Sequence, residues 1–335
     1  VTINEISQNF KSGNTRAVYL LHGEEPYFID KLTELAVENI VPPDFRDFNQ
    51  SVFYARETEP MQVLDAANRL PMMAEKQLVV LKEAQNWSKA TQWEKLEKYL
   101  ENPSPSTVLV IAYKYKLFDK RTRFYKTVVK HGCIFESARL FDNQVADWIT
   151  KMIKTKGRTV TDKALMLLQE FVGSDLSRIE MELSKLCIVV PKGEQINEHH
   201  VEKNIGISKD YNAFELGNAV LAADYLKAMK IINYFAHNPK AGPNVLVISS
   251  LMSTYSNLFK AHFAKTGDPA QLQKVLGVRP FIAREVARHM SKHHPRKISR
   301  NFSILRQYDL MSKGYGSPAV EGTELLKELV YKLLN

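Results

Sequence analysis

Ala17-Val18-Tyr19-Leu20-Leu21-His22-Gly23-Glu24-Glu25-Pro26-Tyr27-Phe28 runs from an apolar, strand-like segment through a single glycine into a segment opening with proline. Proline is at home in the first turn of a helix, so the order reads as strand, tight turn, helix. That is the architecture of a phosphate-binding loop. A working loop of this kind needs several glycines, a Lys for the β- and γ-phosphates and a Ser/Thr for Mg²⁺. Here the turn offers Gly23 and two carboxylates. Glu24 and Glu25 are expected at the positive end of the helix, where they repel phosphate. The stretch predicts a nucleotide-binding scaffold without its chemistry, and no catalytic, cofactor or metal residues are assigned.

Outward from this turn, apolar extended runs recur at 17–22, 48–55, 77–81, 107–113 and 133–137, with helical patterns near 26–40, 60–70, 88–101 and 119–130. Continuous β-branched runs alternating with helices predict a parallel sheet covered on both faces, a three-layer α/β domain over residues 1–140. A small helical domain is expected over 141–206, with helices at 142–155 and 161–171. A third helix there repeats Leu176, Ile179, Leu183 and Leu186, with Gly173 as the preceding stop and Ser174 as cap. A further short helix is expected to begin between Ile196 and Val201. Residues 207–335 read as helical throughout: 212–220, 224–236, 243–265, 268–276, 279–291, 298–314 and 320–334, broken at Pro239, Gly242-Pro243, Gly267-Asp268-Pro269 and Gly316-Ser317-Pro318.

The chain has 335 residues and a net charge of +9. Through Gly206 it holds 28 basic and 28 acidic residues, and beyond it 18 and 9, so the whole excess lies in the last segment. This asymmetry suggests a polyanionic partner. No run resembles a membrane span or a signal peptide, and the two cysteines, Cys133 and Cys187, read as buried free thiols, so a cytoplasmic protein is expected.

The order of segments and four stretches resemble the bacterial DNA polymerase III delta subunit family. These are Tyr19–Phe28, Leu70-Pro71-Met72-Met73-Ala74-Glu75-Lys76-Gln77-Leu78-Val79-Val80-Leu81, Gly173–Leu186 and, more faintly, Tyr308–Gly314. The resemblance implies an AAA+-like α/β domain, a small helical lid and a C-terminal helical collar. It also implies a subunit of the clamp loader that binds and opens the sliding clamp (beta subunit) during DNA replication. Such a subunit has no ATP site or cofactor of its own, although the polymerase holoenzyme it serves is a nucleotidyltransferase. Other clamp-loader subunits, gamma/tau and delta prime, are the implied partners of the collar, with primer-template DNA inside the complex and no membrane contact.

After Leu81 the chain continues Lys82-Glu83-Ala84-Gln85, so the Mg²⁺-binding Asp of a hydrolytic site is missing and Glu83 reads as a surface residue. The Ser-Arg-Cys finger and four-cysteine zinc module of related subunits are absent too. The segment after Pro60 reads as an amphipathic helix with Met61, Leu64, Ala67 and Leu70 on one stripe, stopped by Pro71. In the family this element carries a hydrophobic pair that enters a pocket on the clamp. The resemblance puts Met72 and Met73 on that pair, with Leu70 beside them. A leucine and an aromatic are the usual occupants, so two methionines depart from the pattern, though a flexible thioether suits an adaptable pocket.

Two basic windows are candidates for phosphate contact. One, 114–130, includes Lys120, Arg121 and Arg123 with Asp119 as its only acid; the other, 279–306, has Glu285 alone against eight cations. Arg284, Arg288 and Lys292 share one helical stripe by spacing. His289, His293 and His294 lack a completing carboxylate and sit among cations, which argues against a metal. Two other classes remain open: an active ATPase with a degenerate loop, and a free-standing nucleic-acid-binding protein.

Overall fold

The computed structural model describes residues 1–335 except 173, 207, 209, 240, 265 and 316–321. Contacts divide it into two units, Val1–Phe141 and Asp142–Asn335.

The first unit runs α1 (Ile3–Ser12), β1 (Val18–Gly23), α2 (Pro26–Asn39), α3 (Arg46–Asn49), β2 (Gln50–Tyr54), α4 (Pro60–Ala67), β3 (Gln77–Lys82), α5 (Ala90–Glu101), β4 (Thr107–Lys114), α6 (Arg123–His131) and β5 (Cys133–Ser137). Its five strands are all parallel, in the order β2-β3-β4-β1-β5. Alternation along each strand builds two cores. Val18, Leu20, Val79, Leu81, Leu109 and Ile111 pack with α4, α5 and α6, while Tyr19, Leu21, Leu78, Val80, Val108 and Val110 pack with α1 and α2. That is the expected three-layer sheet. Helix α1 was not expected: only Ile6 and Phe10 of its ten residues are buried, too sparse a signal for periodicity. A capping box between Thr2 and Glu5 opens it and Gly13 at φ +74 closes it.

The second unit runs α7 (Asp142–Thr155), β6 (Thr159–Val160), α8 (Asp162–Val172), α9 (Leu176–Val189), β7 (Gln195–Ile196), α10 (Glu198–Ile205), α11 (Ala213–Leu221), α12 (Tyr225–His237), α13 (Asn244–Phe263), α14 (Pro269–Leu276), α15 (Pro280–Met290), α16 (Pro295–Ser312) and α17 (Gly322–Leu334). Leu176, Ile179, Leu183 and Leu186 are the buried stripe of α9, as expected. Its cap is Asp175, whose carboxylate accepts from the Arg178 amide at 3.0 Å, and not Ser174. The expected stop at Gly173, the turn at 316–318, the first two residues of the helix expected from 320 and the boundary residue Ile207 lie outside the described residues. The two-residue strands β6 and β7 pair in parallel; they are too short to leave a period in the sequence. Beside them Arg158 donates to the carbonyls of Cys187 and Val190 at 2.6 Å, closing the C-terminus of α9. Among the described residues no helix is long and apolar enough to cross a membrane.

Candidate functional site

At the turn after β1, Gly23 has φ +147, and a Cβ there would lie 2.0 Å from the Ser137 carbonyl oxygen. Only glycine lets the chain pass that close. The Glu25 amide donates to the Ser137 carbonyl at 3.2 Å, and Ser137 Oγ donates back to the Glu25 carbonyl at 2.7 Å. The turn is therefore riveted to the end of β5. Glu25 is buried and caps α2, its Oε1 accepting from the Tyr27 amide at 3.0 Å. Glu24 points to solvent, so one carboxylate, not two, occupies the helix N-terminus.

The neighbouring surface is filled as well. Lys116 bridges to Gly23 in antiparallel fashion, and the Phe118 amide donates to Nδ1 of the buried His22 at 3.2 Å. Phe118 is buried among Tyr113, Trp93 and Phe124. Burial pushes the His22 imidazole below its ordinary value, with Lys120 adding to the shift and Glu136 opposing it. Glu83, expected on the surface, is half-buried in a left-handed conformation and accepts from Asn86 Nδ2 at 3.3 Å.

The sequence stripe through α4 is corrected. Its buried residues are Pro60, Val63, Ala66 and Ala67, whereas Met61 and Leu70 are exposed. The helix ends at Ala67, three residues before the expected stop, because buried polar side chains take its last carbonyls. Gln77 Nε2 reaches Ala66, Ala67 and Arg69, and Thr107 Oγ1 donates to Ala67 at 2.8 Å. The chain then leaves the helix and carries Leu70, Met72 and Met73 outward, 79 %, 59 % and 87 % exposed. Met73 stands at φ +58.

The backbone of this tip is tied down at Met72 and beyond it at Lys76. Lys76 Nζ donates to the Gly13 carbonyl at 2.8 Å and to Thr15 Oγ1 at 2.7 Å. Asn49 binds the amide and carbonyl of Met72. Its chain neighbour Phe48 is 71 % exposed. The sequence places both in the extended run 48–55, with no role at this tip; they instead close α3, and the strand begins at Gln50. The three candidates Leu70, Met72 and Met73 thus lie on one solvent-facing apolar segment whose backbone is anchored at Met72 and beyond it at Lys76.

The basic candidates separate. Lys120 pairs with Glu136 at 2.6 Å, Arg121 with Asp119 at 2.9 Å, and Arg123 with both Glu97 and Glu101. Counting acids within the window missed the carboxylates that α5 and β5 bring to it. Asp119 is held down at about 2 by the Arg121 guanidinium and amide. In the second unit Arg284 and Arg288 are exposed on α15, but Lys292 lies past its end at Met290, in the turn before α16. The single stripe expected for the three is therefore cut short. Arg288 pairs with Glu285 at 2.9 Å; Arg284 and Lys292 have no carboxylate within ion-pair distance among the described residues.

His289 and His293 turn inward and are buried. His289 Nε2 is 3.6 Å from Glu285, and His293 Nε2 donates to the Leu221 carbonyl at 2.8 Å. Among the described residues no group of three or more His, Cys, Asp and Glu is placed to hold a metal. Cys133 is buried, and burial pushes its thiol up; Cys187, expected buried, is half-buried.

A family model described as DNA polymerase III, delta subunit, matches residues 19–138. The chain is 27 % identical over 314 residues to DNA polymerase III subunit delta of Bacillus subtilis, covering 90 % of each. It is 24 % identical over 315 residues to the probable DNA polymerase III subunit delta of Aquifex aeolicus, covering 91 % of this chain and 88 % of the relative. Among solved structures, the Bacillus subtilis DNA clamp loader delta protein aligns over 99 % of both chains at a TM-score of 0.56 and 23 % identity, which shows a shared fold. The resemblance read from the sequence is borne out.

Proposed function

We propose that this chain, a relative of the DNA polymerase III delta subunits along most of its length, is the clamp-opening subunit of a replicative clamp loader and hydrolyses no ATP itself. The observation that carries the reading is the exposed apolar tip of Leu70, Met72 and Met73 on a backbone anchored at Met72 and Lys76. Large apolar side chains held in water on an anchored backbone gain by entering a pocket.

If the sliding clamp accepts the tip better in its sprung form than in its closed form, binding alone shifts the ring toward opening. The plugged turn at Gly23 favours this over an active ATPase. The Tyr27 amide that would face a phosphate is already taken by the Glu25 carboxylate. Residues 141–206 then serve as lid and 207–335 as the collar that joins gamma/tau and delta prime subunits, with Arg284 and Lys292 available to primer-template DNA and Arg288 held by Glu285.

The test is a calorimetric titration of the protein against its own sliding clamp. Met72→Ser with Met73→Ser is expected to weaken binding at least about tenfold, or about 1.4 kcal/mol, with an unchanged fold. Wild-type affinity in the double variant refutes the site. ATP turnover by the purified chain that is abolished by Glu83→Gln would instead favour the ATPase reading. Tight salt-dependent DNA binding with no clamp affinity would favour a free-standing nucleic-acid-binding protein.

A further inference from the structure

The tip of Leu70, Met72 and Met73 belongs to no helix or strand, so no helical or ladder hydrogen bonding sets its shape. Asn49, the last residue of α3, is 2 % exposed. Its Nδ2 donates to the Met72 carbonyl at 2.8 Å and to the Phe45 carbonyl at 2.9 Å, and its Oδ1 accepts from the Met72 amide at 2.6 Å. One planar carboxamide thus pairs with both backbone groups of a residue 23 positions away, as a neighbouring strand would. Aspartate has the same shape but loses the donor, and leucine has neither donor nor acceptor. Beyond the methionines, Lys76 holds the chain to Gly13 and Thr15. Between these two anchors Met73 keeps φ +58, a conformation that an L side chain adopts only when its surroundings impose it.

We infer that Asn49 is the positioning residue of the docking tip: by fixing the backbone of Met72 it holds the Met72 and Met73 side chains in the arrangement a sliding clamp takes up. The inference rests on the clamp-binding reading above. Asn49 is buried and does not itself touch the partner. Its contribution is to the fraction of molecules whose tip is already competent, and apparent affinity falls in proportion to that fraction.

The experiment uses the full chain and its own clamp in a double-mutant cycle: wild type, Asn49→Ala, Met72→Ser with Met73→Ser, and all three together. Amide hydrogen exchange at Met72 and thermal unfolding are read on each. Asn49→Ala is expected to weaken clamp binding about tenfold, with the Met72 amide losing protection while the protein stays folded. In the Met72→Ser, Met73→Ser background it is expected to change affinity less than about twofold, because no side chains remain to be positioned.

A purely structural Asn49 predicts otherwise, and either of two results overturns the inference: a lowered melting temperature with the folded fraction binding as wild type, or the same loss in both backgrounds. Should Asn49→Ala fail to fold, Asn49→Asp, which keeps the bond from the Met72 amide and loses the two donated ones, replaces it with the same expected direction. If Met72→Ser with Met73→Ser binds as wild type, the clamp-binding reading itself falls. If that variant is weak while Asn49→Ala and Asn49→Asp bind normally, only the positioning role falls.

Discussion

Met73 offers a way to separate binding from stability, because its side chain is exposed and its backbone is strained. At φ +58 a non-glycine residue sits about 1–2 kcal/mol above its preferred conformation, and asparagine is among the residues that tolerate this region. With 87 % of its surface in solvent, Met73 loses almost no packing when replaced. Met73→Asn is therefore expected to leave unfolding stability unchanged or to raise it by up to about 1 kcal/mol. Complete burial of a methionine is worth about 1.5–3 kcal/mol, so covering that exposed fraction by a partner contributes about 1.5–2.5 kcal/mol. Replacing it should weaken clamp binding about tenfold or more. Urea unfolding with a shared m-value measures the first quantity and calorimetric titration the second. Most surface substitutions move stability little in either direction; the signature here is stability unchanged or raised together with lower affinity. A loss of more than about 1 kcal/mol in stability would mean that Met73 is packed rather than displayed. Unchanged affinity would remove it from the contact.

Other outcomes follow from the same geometry. Gly23→Ala places a Cβ 2.0 Å from the Ser137 carbonyl oxygen, so the first unit should lose more than about 3 kcal/mol or fail to fold; a near-native urea midpoint would contradict the riveted turn. Phe48→Ala should weaken clamp binding several-fold without loss of stability, since Phe48 is exposed beside the residue that holds Met72; unchanged affinity would confine the contact to the 70–73 side. In the assembled complex, Arg284→Glu with Lys292→Glu should cut DNA retention and its salt slope more than Lys120→Glu with Arg121→Glu, whose cations are already matched by Glu136 and Asp119; the reverse order would refute that ranking. The His22 imidazole is held below its ordinary 6.5. The unfolded chain therefore binds the proton first, and the stability contributed is complete above that value and lost as pH falls below it. His22→Gln should flatten the decline of the urea midpoint between pH 7.5 and 5.5, and an unchanged slope would exclude His22 as its source.

Much of the fold was legible because it is written in long periodic segments. All five strands of the sheet lie within two residues of their expected positions, since runs such as Leu78-Val79-Val80-Leu81 are apolar on both faces and admit few other readings. The elements that escaped are those held by single side chains. Helix α1 rests on two buried residues and a capping box, β6 and β7 on two residues each, and the end of α4 on Gln77 and Thr107 from other strands. Residue pairing across the fold is likewise invisible along the chain. Glu97, Glu101 and Glu136 answer the cations of the 114–130 window from outside it, and Asn49 meets Met72 only after the sheet has formed. At the candidate site, the identity of Met72 and Met73 came from the resemblance. Their exposure, which separates a docking tip from core packing, came only from the structure.

The closed turn and the open tip bear on each other through energy. A phosphate oxygen about 4 Å from the Glu25 carboxylate would meet about 4 kcal/mol of repulsion per unit charge near a protein surface. The nearby Tyr27 and Glu25 amides already have acceptors, so neither offsets that cost. If the chain hydrolyses no ATP, as proposed, it can open a ring only by binding one form of it better than the other. Moving an equilibrium from about 1 % to 99 % open takes about 5.5 kcal/mol of differential binding. The exposed fractions of Leu70, Met72 and Met73, fully covered, supply about 3–7 kcal/mol together. The two quantities are of the same size, which sets a condition on the mechanism. The tip suffices for opening only if nearly all of its burial occurs in the open form and little in the closed one. A tip that reached its pocket equally well in both would bind the clamp tightly and leave it shut, so a rigid presentation that fits one pocket geometry serves opening better than a supple one that adapts to both.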